Sequence, residues 1–304
     1  MIIASIDIGT NTVLMVIARS NGSGSPETIK NEFTIPRIGK GLVPGGPIRE
    51  DKKELLLDII KKFVDTAKYY KADKIIASAT NAFRIASNSS EIAELIRNMG
   101  VEIEVISGEK ESYFAYLGAV SGFDKDEEAL VMDIGGGSTE IIYGKGENIH
   151  YRKSFQTGVV SLTEKFFLTD PPSPGDINSV NTELQKIFRE LAEKKFSPSK
   201  AIAIAGTPTT LACIQQGLSS FDEEAIEGSC LKKDDIMGMI TEISVLSSEE
   251  ILKKYSTVVK GREDVLLAGT LILFHLLNIL GLSEVNVSTK GIRYGAIINY
   301  FRHN

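Results

Sequence analysis

Leu130-Val131-Met132-Asp133-Ile134-Gly135-Gly136-Gly137-Ser138-Thr139-Glu140-Ile141-Ile142 runs from apolar residues through a carboxylate, a string of glycines, two hydroxyls and a second carboxylate, then back to apolar residues. The flanks read as strands and the residues between them as the turn of a β-hairpin. Glycine reaches φ > 0 at no steric cost, so successive backbone N–H groups can converge on an anion such as phosphate. Asp133 and Glu140 flank that turn, where they could hold a hard cation with its water shell. Near the start of the chain, Ala4-Ser5-Ile6-Asp7-Ile8-Gly9-Thr10-Asn11-Thr12-Val13-Leu14-Met15 repeats the layout. Alone, either stretch could be an ordinary tight hairpin. Together, two copies of strand, Asp-Ile-Gly, polar turn and strand suggest a duplicated phosphate grip.

A chain of 304 residues has room for two domains, each with its own core. A hydrophobic share of 42% and a charged share of 24% are those of an ordinary globular protein. The net charge of −6 argues against DNA held by bulk electrostatics, so a polyanionic ligand needs local basic residues or a metal. Cys213 and Cys230 are too few for a disulfide framework or a zinc cage. The N-terminus lacks a basic leader, and Asp7 soon interrupts its apolar run. The longest apolar stretch, Leu266 to Leu282, contains Thr270, His275 and Asn278 and reads as a core helix rather than a membrane span. The expectation is a cytoplasmic protein with no membrane partner; the oligomeric state stays open, a homodimer included.

The pattern of strands and helices restarts at the charged segment 122–128. Before it come strands over 2–18 and 27–37, a polar turn over 20–25, a glycine- and proline-rich loop over 39–47 that reads as mobile, and a helix over 49–70. Strands over 74–79 and 101–106 each lead into a helix. After it come a hairpin over 129–145, a third strand over 148–155, helices over 161–167 and 176–194, and a strand over 201–205. Helices over 233–244, 248–255 and 264–280, a strand over 284–288 and a last helix over 292–302 complete the chain. Each half reads as βββαβαβα. The expected fold class is α/β, with two domains that each carry a mixed sheet and flanking helices. Their bounds are 1–123 and 124–304, with the last helix (about 291–304) placed to pack back on the first domain. Sites in such folds gather beyond the strand ends, here in a cleft between the domains.

Polar turns at 7–12, 80–84, 107–111, 133–140 and 206–210 are the candidates to line that cleft. Gly206-Thr207-Pro208-Thr209-Thr210 lies between a strand and a helix, so its amides suit a phosphate; an N-cap by Thr207 or Thr209 is compatible with that role. Arg84 follows a buried strand, and its fork matches phosphate oxygens, although position alone favours a surface or salt-bridged arginine. Arg262 and Arg293 lie beside glycines and could add positive charge; a bland role is the simpler reading for both. Glu109 and Glu111 open a helix and face different ways, so at most one enters the site. On position alone they serve the helix dipole; as a base, one could activate a water. No Gly-x-Ser-x-Gly elbow, Walker lysine motif or histidine metal spacing is present.

Taken together, these motifs resemble the exopolyphosphatase/guanosine pentaphosphate phosphohydrolase family of the actin-like ATPase superfamily. The resemblance is carried by Asp7-Ile-Gly-Thr-Asn-Thr, Thr80-Asn-Ala-Phe-Arg84 with Asn88, Ile106-Ser-Gly-Glu-Lys-Glu111, Asp133-Ile-Gly-Gly-Gly-Ser-Thr-Glu140, Gly158 with Leu162-Thr163-Glu164, Gly206-Thr-Pro-Thr-Thr and Lys290-Gly-Ile-Arg-Tyr-Gly295. These stretches span nearly the whole chain, in the form that lacks a further C-terminal helical domain. The resemblance implies two actin-like (ribonuclease H-like) domains and Mg²⁺-assisted hydrolysis of a terminal phosphoanhydride, with polyphosphate or guanosine pentaphosphate as substrate. It implies Glu111 as the general base and Asp133, Glu140 and Asp7 as metal-positioning carboxylates. Phosphate-binding positions would be Gly9, Thr10, Asn11, Thr12, Arg84, Gly135, Gly136, Gly137, Ser138, Thr139, Gly206 and Thr207. Lys110 interrupts what is often an acidic run in the family, and Ile85 stands where an aspartate is usual. Lys110 could therefore tune Glu111 or bind phosphate. A kinase on the same fold, or a non-catalytic polyphosphate or nucleotide sensor, are the alternatives.

Overall fold

The computed structural model describes residues 1–20, 25–124 and 126–303. Residues 21–24 of the turn expected over 20–25 lie outside the described residues, as does Lys125 in the segment 122–128. The chain forms two compact units, Met1–Gly122 with Lys290–Asn304, and Phe123–Thr289.

The first unit opens with strands β1 (Ile2–Ile8), β2 (Val13–Arg19) and β3 (Glu27–Thr34), then helix α1 (Glu50–Tyr69) and β4 (Lys74–Ala79). Helices α2 (Asn81–Ile85) and α3 (Ser89–Arg97), strand β5 (Glu102–Val105) and helix α4 (Gly108–Ala119) follow. The sheet order is β3-β2-β1-β4-β5. Short turns make β1 to β3 an antiparallel meander, whereas α1 and α3 provide the longer crossovers that let β4 and β5 run parallel to β1. A central strand covered on both faces must be apolar almost throughout, and β1 is. Its alternation puts Ala4, Ile6 and Ile8 into the core beneath α1, where Leu56, Ile59, Ile60, Phe63, Val64 and Ala67 recur at helical spacing. Ile3, Ser5 and Asp7 take the opposite face by the same alternation.

The second unit holds β6 (Glu128–Ile134), β7 (Thr139–Lys145), β8 (Asn148–Phe155), α5 (Val159–Phe166), α6 (Pro174–Phe188), β9 (Lys200–Ile204) and α7 (Gly206–Gln215). After these come α8 (Glu223–Ile226), β10 (Cys230–Lys232), α9 (Lys233–Ile243), α10 (Ser248–Tyr255), α11 (Leu266–Ile279) and β11 (Glu284–Val287). Its sheet order is β10-β11-β9-β6-β7-β8. Read from the other edge, β8-β7-β6-β9-β11 repeats the first unit's order strand for strand, and β10 is an addition. The sequence reading missed β10, because Cys-Leu-Lys is too short to show an alternation. Leu266 to Leu277 is buried almost throughout in α11, which is the core helix that its composition requires. Thr270 returns its hydroxyl to the Leu266 carbonyl (2.7 Å), and His275 meets Asn181 (3.0 Å). Burial holds the His275 pKa below its ordinary value. Among the described residues, no helix is long and apolar enough to cross a membrane.

The last helix, α12 (Ile292–His303), belongs to the first unit. Tyr294 and Ile297 pack on Ile3, Val16 and Ala18, the β-sheet face opposite α1. α12 and α4 touch backbone to backbone. A Cβ on Gly118 would stand 2.0 Å from the Gly291 carbonyl oxygen, and one on Gly295 would stand 1.9 Å from that of Phe114.

Candidate active site

Parallel strands end on the same edge of a sheet, and this gathers the motifs within each unit. In the first unit, β1, β4 and β5 deliver Asp7–Thr12, Thr80–Arg84 and Ser107–Glu111 to one edge. Thr80 N–H donates to the Ile8 carbonyl (3.1 Å) and Ile106 N–H to that of Ala79 (3.0 Å), which fixes the spacing of the three. Ser107 caps α4 by accepting from Lys110 N–H (3.2 Å). The first turn of α4 then splits its two carboxylates as helical geometry requires: Glu109 is exposed, and the Glu111 side chain is 15% exposed. Glu111 accepts from Arg84 at 2.6 Å, and the same guanidinium nitrogen donates to the Ile106 carbonyl at 3.0 Å.

Asp7 is the other acidic group here. Its Oδ1 is buried with no hydrogen-bond partner. Burial foremost, and the Glu111 charge next, push its pKa up to about 7, against the pull of Arg293. Burial also raises the Glu111 pKa, although Arg84 opposes it. Arg293, for which a bland role was the simpler reading, is in fact buried: it donates to the Met15 carbonyl (3.2 Å) and to Asn31 Oδ1 (2.9 Å). Lys110 does not turn toward Glu111. Glu104 holds its ammonium at 2.6 and 2.8 Å.

The two Asp-Ile-Gly turns match atom for atom in their closing bond. Gly9 N–H donates to the Thr12 carbonyl and Gly135 N–H to that of Ser138, each at 3.0 Å. Those two amides are therefore spent inside the turns. In the first unit the Thr10 and Asn11 carbonyls accept from Gly39 N–H (2.9 Å) and Arg37 N–H (3.0 Å). In the second, the Gly135 and Gly136 carbonyls accept from Val159 N–H (3.0 Å) and Val160 N–H (2.8 Å) at the start of α5. A trans peptide points its N–H opposite to its C=O. The N–H groups of Asn11 and Thr12 thus face away from the 37–39 segment, and those of Gly136 and Gly137 away from α5. Gly158 is what allows this brace: a Cβ there would lie 2.5 Å from the Gly135 and Gly136 carbonyl oxygens. The 39–47 loop is likewise no free loop, because Gly45 N–H also reaches the Ile85 carbonyl (2.8 Å) and Ser87 N–H that of Gly46 (3.0 Å).

In the second unit, Asp133 pairs with Glu140 across β6 and β7, the register at which Asp7 meets Leu14 in the first. Glu140 is buried and accepts from the Ser154 hydroxyl (2.6 Å). Parallel β9 brings the 206–210 stretch to the same sheet edge as 133–139. Gly206 and Thr207 open α7, whose first amides have no partners within the helix. The N-cap is Ala205 rather than a threonine, at φ 78° and ψ −167°. That region is nearly reserved for glycine and costs about 1–3 kcal/mol, a strain of the kind that collects at functional sites. Thr209 lies inside the helix and returns its hydroxyl to the Ala205 carbonyl (2.9 Å). Arg262 donates to the Thr210 hydroxyl (3.2 Å), and its guanidinium stands 3.1 Å from where a Cβ on Gly206 would lie.

Among the described residues, no three His, Cys, Asp or Glu side chains cluster as a metal cage. Magnesium ordinarily takes one or two carboxylates and completes its shell with water and phosphate oxygens. The unpartnered Asp7 oxygen fits that demand.

The signature of the Ppx/GppA phosphatase family matches residues 16–303. The chain belongs to this family. Among relatives, it is 31% identical to a bifunctional 3-dehydroquinate synthase/phosphatase of Fusobacterium nucleatum, over 97% of this chain and 46% of that one. It therefore spans less than half the length of that relative. It is also 24% identical to exopolyphosphatase 2 of Mycobacterium tuberculosis, over 98% of both chains. Among solved structures, a Ppx/GppA family member of Aquifex aeolicus superposes with a TM-score of 0.85 at 31% identity, covering 100% of this chain and 98% of that one. An exopolyphosphatase from Cytophaga hutchinsonii superposes with a TM-score of 0.88 at 27% identity, covering 100% and 98%. For a Ppx/GppA phosphatase, the α/β architecture of two mixed sheets with flanking helices is as the motifs led one to expect. Sequence reasoning missed the strain at Ala205 and the burial of Arg293. Neither residue type advertises such a role.

Proposed function

We propose that this Ppx/GppA phosphatase hydrolyses the terminal phosphoanhydride of polyphosphate, of guanosine pentaphosphate, or of both, with Glu111 as general base. The supporting observation is Glu111 itself: a carboxylate sunk into the first turn of α4, raised in pKa by burial, and held in place by Arg84. Water attacks the terminal phosphorus in line while Glu111 takes its proton; the bond to the bridging oxygen breaks, leaving orthophosphate and a chain one phosphate shorter. Outward amides of Asn11, Thr12, Gly136 and Gly137, together with those opening α7, hold phosphoryl oxygens with dipoles already oriented. Arg84 offsets the charge that gathers on the terminal group. Asp7, Asp133 and Glu140 are the carboxylates that would hold magnesium, which when bound neutralises phosphate charge.

Phosphate release is to be measured on long-chain polyphosphate and on guanosine pentaphosphate side by side, with and without magnesium. Magnesium-dependent release from at least one, abolished by Glu111→Gln, is the expected outcome. Binding without release would instead make the protein a sensor. Transfer of phosphate to an added acceptor would make it a kinase.

A further inference from the structure

Arg84 has two tasks in the reading above, and one of them already occupies its Nη1. Its terminal nitrogen is bound to Glu111 at 2.6 Å and to the Ile106 carbonyl at 3.0 Å. The Arg84 side chain is 28% exposed, so it reaches solvent, and any phosphate arriving there meets a guanidinium whose Nη1 is already bound to a carboxylate. A lone arginine shared by two anions must divide its donors between them. Resting on the proposed function, we infer that Arg84 is an exchange residue: it clamps Glu111 while the site is empty and passes to the terminal phosphoryl group when substrate enters, which frees the base only in the substrate complex.

The surroundings suit such an exchange. Arg84 sits on α2, a helix of a single turn whose N-cap Thr80 makes no side-chain cap bond. Glu111 is on the longer, Ser107-capped α4. The guanidinium is thus on the shorter element and the carboxylate on the longer one. The charged groups around Glu111 are Arg84 from α2 and Asp7 from β1, with Arg293 of α12 acting on Asp7; Lys110 is tied to Glu104. Once Arg84 leaves, no other cation in that set is turned to Glu111, and its carboxylate is left to a water. Between turnovers the clamp keeps the base from bulk solvent and the site from idle water activation.

The test is a double-mutant cycle on binding rather than on rate. The probe is a methylene-bridged polyphosphate analogue, which lacks the scissile bridging oxygen, titrated calorimetrically into the full chain. If Glu111 competes with phosphate for Arg84, Glu111→Gln removes the competitor and tightens binding about 10-fold, the scale of one charge-assisted hydrogen bond. In an Arg84→Gln background the same change then has less than about a twofold effect. Equal tightening in both backgrounds would mean simple charge repulsion and overturn the exchange. Unchanged affinity in Glu111→Gln would overturn it too. Wild-type protein that neither binds the analogue nor releases phosphate would refute the proposed function instead, so the two failures are separable.

Discussion

Gly158→Ala isolates the brace that orients the second unit's turn. Gly158 lies at φ −149° and ψ 178°, extended backbone that alanine adopts freely, so the substitution acts through space alone. The added methyl would stand 2.5 Å from three backbone atoms, the Gly135 oxygen and the Gly136 carbon and oxygen, none of which can rotate away. Relief requires α5 and the turn to separate, at the expense of the bonds from Val159 and Val160. Two backbone hydrogen bonds at about 1 kcal/mol each, with overpacking of about 1–3 kcal/mol, put the loss at roughly 3–5 kcal/mol. In a unit of this size that lowers the melting temperature by about 6–20 °C. Because the carbonyls of 135 and 136 would swing, the amides of 136 and 137 swing with them, and phosphate release should fall on the order of 10- to 100-fold even well below melting. Calorimetric melting with a coupled phosphate assay reads both. Gly238→Ala is the control: it sits inside α9 with nothing within 4 Å, and gains about 0.5–1 kcal/mol from helix propensity. Wild-type stability and activity in Gly158→Ala would refute the orientation argument.

Three further outcomes are expected. Gly295→Ala, with its methyl 1.9 Å from the Phe114 carbonyl oxygen, should destabilise the first unit by about 2–3 kcal/mol or more, seen in urea unfolding; an unshifted midpoint would contradict the close α4–α12 approach. Glu111 must be ionised to act, and burial raises its pKa. The acid limb of the kcat/KM profile should thus lie above the ordinary carboxylate range and move higher still in Arg84→Gln, where the opposing cation is gone; a limb that stays put would disprove the assignment. Asp7 is raised from 3.8 to about 7, so the folded chain binds its proton more tightly than the unfolded chain, and stability falls as pH rises between those values. In metal-free buffer Asp7→Asn should match wild type below pH ~4 and exceed it by up to about 4 kcal/mol above pH ~7, while losing activity. Parallel stability curves for the two proteins would reject a buried, unpaired Asp7.

What the sequence disclosed and what it hid divide along physical lines. The twin Asp-Ile-Gly turns and α11 were legible because glycine placement and apolar composition are local signals. The succession βββαβαβα in each half was legible too, but the order of the strands within each sheet was set only by the fold. The Lys110–Glu104 pair was not foreseen, because no helix or strand spacing joins the end of β5 to the first turn of α4. The glycines and prolines of 39–47 suggested mobility, yet those residues hydrogen-bond to the 10–11 turn and to the end of α2. Ala205 was invisible, for nothing about an alanine warns of a left-handed backbone. The Arg84–Glu111 contact joins two helices whose register only the folded sheet sets.

The two turns are steadied by different kinds of partner, an irregular segment at 37–39 in one unit and the start of α5 in the other. Insertions or deletions in the first brace can therefore reshape one copy without unravelling a helix, whereas the second copy can change only with α5 and the core residue Leu162 behind it. One turn is thus adjustable and the other fixed. Diversity in ligand choice should accumulate around residues 37–47, and laboratory evolution toward new phosphate esters should find its productive length variants there.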